Sequence, residues 1–148
     1  MTYHKPVLLN ESIDGLSIKP EGIYADLTFG GGGHSRQILE KLGNKGRLLA
    51  FDQDKDAAEN VPDDKRITFI HANFRFLKNF LNYFGVSQLD GILADLGISS
   101  HQIDEERRGF TFRSKTDLDM RMNKDSELTA EKILNEYPEE DMKRIFRD

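Results

Sequence analysis

Apolar residues in this chain gather into four short runs, separated by turn residues and by segments of helical spacing. The runs are Ile23–Thr28, Arg47–Phe51, Ile67–His71 and Asp90–Leu96, and none shows the strict alternation of a half-solvated strand. Runs of this kind belong to strands buried on both faces, as in a parallel sheet covered by helices. Between the first two, Ser35–Leu42 places Ile38, Leu39 and Leu42 at helical spacing, with Gly43 where a left-handed C-cap would end the helix. Leu77, Phe80, Leu81 and Phe84 repeat that spacing before a stop at Gly85, and read as core side chains. A short helix is expected over Asn10–Leu16, and the linker Lys55–Arg66, with Pro62, has room for at most one more. Beyond Met122 the pattern is helical again: Thr129–Asn135, then Pro138 at a first-turn position with acids behind it, leading Glu139–Phe146. The sum is an α/β alternation with about four parallel strands.

The first strand breaks into Gly30-Gly31-Gly32-Gly33-His34-Ser35, and a helix follows at once. That strand–loop–helix corner is where α/β folds hold nucleotide-like cofactors. Glycine suits it because the loop turns tightly, with φ above zero at some positions, and because a Cβ would collide with a ligand. No Lys-Ser or Lys-Thr follows, so the charge and hydroxyl of a P-loop are missing. The dinucleotide pattern G-x-G-x-x-G fails as well, ending on Ser35 or Arg36. An ordinary turn remains the alternative. Asp52 ends the second run 19 residues after Gly33, a position that faces a cofactor ribose in doubly wound sheets. Asp54 and Asp56 beside it leave a solvated loop acid as the other reading. Asp95 ends the fourth run and is followed by Leu96-Gly97-Ile98-Ser99-Ser100. Ligands in such folds sit beyond the carboxyl ends of the strands, so Asp95 shares a rim with the glycines and Asp52; alone, it reads equally as a helix cap or loop acid.

Composition narrows the class. The 148 residues suit one domain, and a formal charge of −5 argues against a uniformly basic, nucleic-acid-coating surface. Cysteine is absent, which removes disulfides and thiolate metal sites, and a lone His34 is a poor metal ligand. No apolar run approaches a membrane span, so a cytoplasmic protein without membrane contact is expected. Locally the balance reverses: Arg107 to Lys124 holds six basic residues against two acids, with Phe110 and Phe112 between them. That mixture suits phosphate contacts and stacking on an unpaired base; a solvated loop with two anchoring phenylalanines is the plainer reading.

Four segments together carry a resemblance. They are Thr28-Phe29-Gly30-Gly31-Gly32-Gly33-His34-Ser35, Asp95-Leu96-Gly97-Ile98-Ser99-Ser100, Arg108-Gly109-Phe110-Thr111-Phe112 and Leu118-Asp119-Met120-Arg121-Met122. With the opening His4-Lys5-Pro6-Val7-Leu8-Leu9, the chain from His4 to Met122 resembles the bacterial 16S ribosomal RNA (cytosine-N4)-methyltransferase H family. The resemblance implies a Rossmann-like methyltransferase fold, S-adenosyl-L-methionine as methyl donor, and 16S rRNA, within the small ribosomal subunit, as partner. It places Gly32, Gly33 and His34 against the donor, Asp52 on its ribose, Phe74 near its adenine, and Asp95 and Gln102 near its methionine end. The residues agree for Gly32, Gly33 and Asp52. Phe74 flanks a purine or packs in the core, and His34 caps the loop or donates to a carboxylate. Gln102 rests on the resemblance alone.

Methyl transfer from a sulfonium is an in-line displacement that asks mainly for placement. The acceptor amine of cytosine is a poor nucleophile, and Asp95 stands where a hydrogen-bond acceptor would help it, making Asp95 the catalytic candidate. Arg108, Phe110, Arg113 and Arg121 are the RNA-binding candidates, and a cytosine in folded RNA must be splayed out to react. In the family the region after Met122 begins a helical insertion, and further strands follow it. The chain is therefore expected to be about the N-terminal half of such an enzyme. The methyltransferase half would cover 1–125 and the start of the insertion 126–148, with an open fourth-strand edge that invites homodimerisation. Three alternatives stand beside this reading: an NAD-binding oxidoreductase, a non-catalytic nucleotide-binding module, and a DNA amino-methyltransferase, whose Pro-Pro-aromatic turn is not matched by Asp95-Leu96-Gly97-Ile98.

Overall fold

Residues 6–113 and 115–147 are described by a computed structural model, and the chain divides after Gly97 into two compact units. His4 and Lys5 of the opening motif lie outside the described residues.

The first unit runs α1 (Leu9–Leu16), β1 (Ile23–Asp26), α2 (Gly33–Lys41), β2 (Arg47–Asp52), β3 (Ile67–His71), α3 (Leu77–Tyr83) and β4 (Gly91–Leu93). Two 3-10 turns, Lys55–Asn60 and Phe74–Phe76, fill the connections. All strand pairs are parallel, in the order β3-β2-β1-β4. This is the α/β architecture that the unbroken apolar runs require. Successive residues of a strand face opposite layers. Thus Leu48 packs with Ile13, Tyr24, Ile38, Leu39 and Leu42, the layer of α1 and α2. Leu49 and Phe51 face the other way, joining Ile70 with Leu77, Phe80, Leu81 and Phe84 from α3 and its end. Phe51 meets Phe80 edge to face at 5.6 Å between centroids. The aromatic repeat of α3 packs, half-buried, against the core.

Element ends depart from the sequence reading where side chains intercept the backbone. β1 stops at Asp26 rather than Thr28, because the Asp26 carboxylate accepts the Thr28 N–H. β4 stops at Leu93 rather than Leu96, and the Asp95 N–H goes to the Thr28 hydroxyl instead of a strand carbonyl. Gly43 does not cap α2 in a left-handed conformation. The helix ends on Leu42 in extended geometry (φ −76, ψ 140), and Gly43 donates to the Pro20 carbonyl at 2.7 Å. A Cβ there would lie 3.2 Å from that oxygen, so close approach of the Pro20 loop accounts for the glycine.

The second unit holds α4 (Ser100–Asp104), a 3-10 turn at Glu106–Arg108, α5 (Ala130–Glu136) and α6 (Glu139–Arg147). Ser99 and Gln102 form a reciprocal capping box on α4, and the Thr129 hydroxyl caps α5.

Candidate functional site

Strand register builds the rim. Asp26 at the end of β1 pairs with Ala50 of β2 on one side and Leu93 of β4 on the other. Asp52 and Asp95 each lie two residues beyond that level, flanking the extension of β1 at Thr28. Strand order reverses between β1 and β4, with β2 and β3 on the far side. That reversal is the topological switch point at which α/β sheets open a crevice.

The glycine loop fills the space above β1 and is held from several directions. Asp52 Oδ2 accepts the Gly30 N–H at 2.7 Å, and Asp52 Oδ1 accepts the Asp54 N–H at 2.8 Å. Asn60 donates to the Gly30 carbonyl (3.1 Å), and Arg36 donates to the carbonyls of Gly31 (2.7 Å) and Asn60 (2.9 Å). A carboxylate offers about four acceptor positions. With the Gln53 N–H also bonding to the carboxylate, about one acceptor position is left for a hydroxyl donor. Burial pushes the Asp52 carboxyl above its usual range, opposed by the backbone N–H groups of Asp54 and Gly30.

Gly32 caps α2 with φ 74, and a Cβ on it would come within 2.8 Å of the Phe29 ring. A Cβ on Gly33 would strike the Pro6 ring. At these two positions the chain itself already leaves no room for a side chain. His34 is buried and neither caps the loop nor donates to a carboxylate; its Nε2 lies 3.2 Å from the Val7 carbonyl. Since a carbonyl only accepts, that nitrogen carries the proton.

Sequence reasoning missed Asp26. Its side chain is fully buried, with Oδ2 accepting the Ser35 hydroxyl at 2.7 Å and Oδ1 accepting the Thr28 N–H at 3.1 Å. Burial raises its carboxyl above the ordinary range, and the Ser35 and Thr28 hydrogen bonds pull the other way. The one available signal was an acid closing a buried apolar run, which also describes a plain strand end. Phe74 opens the 3-10 turn after β3 and is 37% exposed, so it is not core. Asp95 is exposed.

Gln102 belongs to the second unit and is buried there. Its Oε1 accepts the Ser99 N–H (2.9 Å) and its Nε2 meets the Met122 sulfur at 3.4 Å. The segments Arg108–Phe112 and Leu118–Met122 interlock: Met120 N–H donates to the Arg108 carbonyl, and a Cβ on Gly109 (φ 71) would sit 2.6 Å from the Asp119 nitrogen. Arg108 is 3% exposed and donates to the carbonyls of Arg121 and Met122. Arg121 pairs with Asp119 through two 2.7 Å bonds and donates to the Lys124 and Ser126 carbonyls, and it holds the Asp119 carboxyl below its usual range. Both arginines are thus committed to the fold of this segment. Phe110 is half-buried, whereas Phe112 is fully exposed beside exposed Arg113 and Lys115. Among the described residues no group of three metal-ligating side chains occurs, and no helix is long and apolar enough to cross a membrane.

The chain matches the MraW methylase family over residues 1–148. It is 57% identical over 146 residues to "Ribosomal RNA small subunit methyltransferase H" of Christiangramia forsetii, covering 99% of this chain and 48% of that protein. Proteins of the same name from Flavobacterium johnsoniae and Bacteroides thetaiotaomicron are 56% and 58% identical. The first covers 100% of this chain and 49% of itself, the second 99% and 48%. The chain spans about half the length of the curated relatives it matches. With a parallel α/β sheet, a glycine corner braced by Asp52, and a family match along its whole length, this chain belongs to the MraW methylase family.

Proposed function

We propose that this chain is the donor-binding half of an S-adenosylmethionine-dependent methyltransferase that modifies the N4 amine of a cytosine in 16S rRNA. The observation that carries the reading is the Asp52 carboxylate, anchored to the glycine loop yet still able to accept from a ribose hydroxyl. The loop amides and Gly32–Gly33 line the same corner, Phe74 offers an exposed ring beyond β3, and His34 ties the first turn of α2 to the Val7 carbonyl. Gln102 supports the second unit, through the capping box, and is a donor contact by family resemblance alone. When bound, S-adenosylmethionine supplies an electrophilic methyl group on a sulfonium.

Asp95, which the resemblance sets near the methionine end of the donor, is also the residue assigned to the acceptor. Its exposed carboxylate can accept an N–H of the cytosine amine, which helps that nitrogen expose its lone pair. For RNA, Arg113 and Lys115 with Phe112 are better placed than Arg108 and Arg121, whose guanidinium groups hold backbone carbonyls. A fully exposed phenylalanine forgoes about 2 kcal/mol of burial, and stacking on an unpaired base recovers it. The partner follows from the names of the relatives, which act on small-subunit ribosomal RNA. An NAD-dependent oxidoreductase is disfavoured by the family match and the failed glycine fingerprint.

The test is transfer of a labelled methyl group to small-subunit rRNA, with nucleoside analysis of the product. It is run on this chain and on this chain continued by the C-terminal half of the Flavobacterium johnsoniae relative. Label in N4-methylcytidine, lost on Asp95→Ala, is expected from the continued protein. Label in another nucleoside, or normal turnover by the Asp95→Ala protein, contradicts the reading.

A further inference from the structure

Asp95 is exposed and stands beyond the end of its strand, so nothing in the β4 ladder sets its position. What holds it is a side chain from the extension beyond β1. The Asp95 N–H donates to the Thr28 hydroxyl oxygen at 2.8 Å. Thr28 is itself tied down, since its own N–H donates to Asp26 Oδ1 at 3.1 Å. The second oxygen of Asp26 takes the Ser35 hydroxyl in the first turn of α2, at 2.7 Å. One continuous path thus runs from the start of α2, through the buried Asp26 carboxylate and Thr28, to the backbone of Asp95.

We propose that Thr28 is a positioning residue: its hydroxyl clamps the Asp95 turn to the β1 extension and sets Asp95 at a constant offset from the glycine loop. The Thr28 oxygen can do this because a hydroxyl accepts as well as donates. On either side of Thr28 the β1 extension is pinned to its neighbours, the Leu27 N–H donating to the Leu93 carbonyl and the Phe29 N–H to the Phe51 carbonyl. Asp26 is the buried anchor of the path, and its burial keeps water from competing for the Thr28 and Ser35 bonds. The consequence for donor binding rests on the reading of the first unit given above; the clamp itself does not.

The two are separated by measuring two quantities on this chain and its Thr28→Val and Thr28→Ser variants. Amide hydrogen exchange at Asp95 reports the clamp, and calorimetric titration with S-adenosylmethionine reports its use. Valine keeps the shape and deletes the acceptor, so Asp95 exchange should quicken at least roughly fivefold and donor affinity should fall by about the same factor. Serine restores the acceptor, and both quantities should return to within about twofold of the parent. A merely structural threonine would lower the melting temperature of both variants while leaving Asp95 exchange unchanged, which overturns the proposal. Faster exchange with unchanged donor affinity overturns the positioning role. If the unmodified chain binds no donor, the donor reading fails and the positioning role falls with it. Asp95 exchange then decides whether the clamp exists.

Discussion

Asp52 Oδ2 lies 2.7 Å from the amide nitrogen of Gly30, although 22 residues separate them in sequence. The bond makes the acid of β2 a brace for the loop of β1, so loop geometry and acid position cannot vary independently. Asp52→Ala therefore leaves the Gly30 and Asp54 N–H groups without their acceptor. Stability measured by urea unfolding should fall by about 1–3 kcal/mol, with faster amide exchange at Gly30. Unchanged exchange at Gly30 would show that the brace carries no weight.

Glycine substitutions separate strain from mere flexibility. Gly32→Ala meets both a positive φ and the Phe29 ring, and should cost about 1–3 kcal/mol. Gly15→Ala, inside α1 with open space around its Cβ, should stabilise by about 0.4–1 kcal/mol. Chemical denaturation of both variants checks the pair; equal effects would contradict the geometry of the loop.

The buried carboxyl of Asp26 gives a pH signature. Burial raises its folded-state value above the 3.8 of an exposed aspartate, so the folded chain binds more protons than the unfolded one between 3.8 and that raised value. Its contribution to stability is thus fullest at low pH and is lost as pH rises through the folded value. Asp52, also raised, acts in the same direction, while Asp64, lowered to about 2, and Asp119 act in the opposite one. Asp26→Asn isolates the one group, because an amide oxygen can take the Thr28 N–H and an amide N–H can go to the Ser35 oxygen. Parent stability should decline relative to the variant as pH rises, and the variant at pH 7 should match or exceed the parent. Parallel pH profiles would refute the assignment.

In the second unit, fold and RNA binding should part company. Arg108→Ala unpairs the carbonyls of Arg121 and Met122, costing about 1–3 kcal/mol and exposing the 106–126 segment to limited proteolysis. Phe112→Ala and Arg113→Ala should leave the melting curve nearly unchanged. Phe112→Ala should weaken binding to unpaired RNA by about 1–3 kcal/mol if the ring stacks on a base. Arg113→Ala should lower the salt dependence of binding by about 0.7 in logarithmic slope. Filter binding across a salt series reads both effects; loss of folding in either variant contradicts the division.

These contrasts mark what the sequence could carry. Long-range order was legible wherever one physical requirement dominated: unbroken apolar runs for parallel strands, covered on both faces in β1 and β2 though Ile92 of β4 is 50% exposed, Ile38-Leu39 and Phe80-Leu81 for helices, a glycine corner before α2. Decisions made by distant partners were not. Gly43 has the local look of a helix stop, but the nearby Pro20 carbonyl explains it. Arg108 and Arg113 look alike in sequence, yet one is buried against carbonyls and the other is exposed. Phe110 and Phe112 diverge the same way. Asp26 looked like a strand terminus because its partners, Thr28 and Ser35, meet it only when the loop closes.

The central claim, that the corner between Asp52 and the glycine loop is a methyl-donor site, is tested most directly by calorimetric titration of this chain with S-adenosylmethionine. NAD and the Asp52→Ala variant serve as controls. Saturable binding of S-adenosylmethionine, absent for NAD and weakened at least roughly tenfold in the variant, is the predicted result. Preference for NAD, or donor binding indifferent to Asp52, would contradict the account.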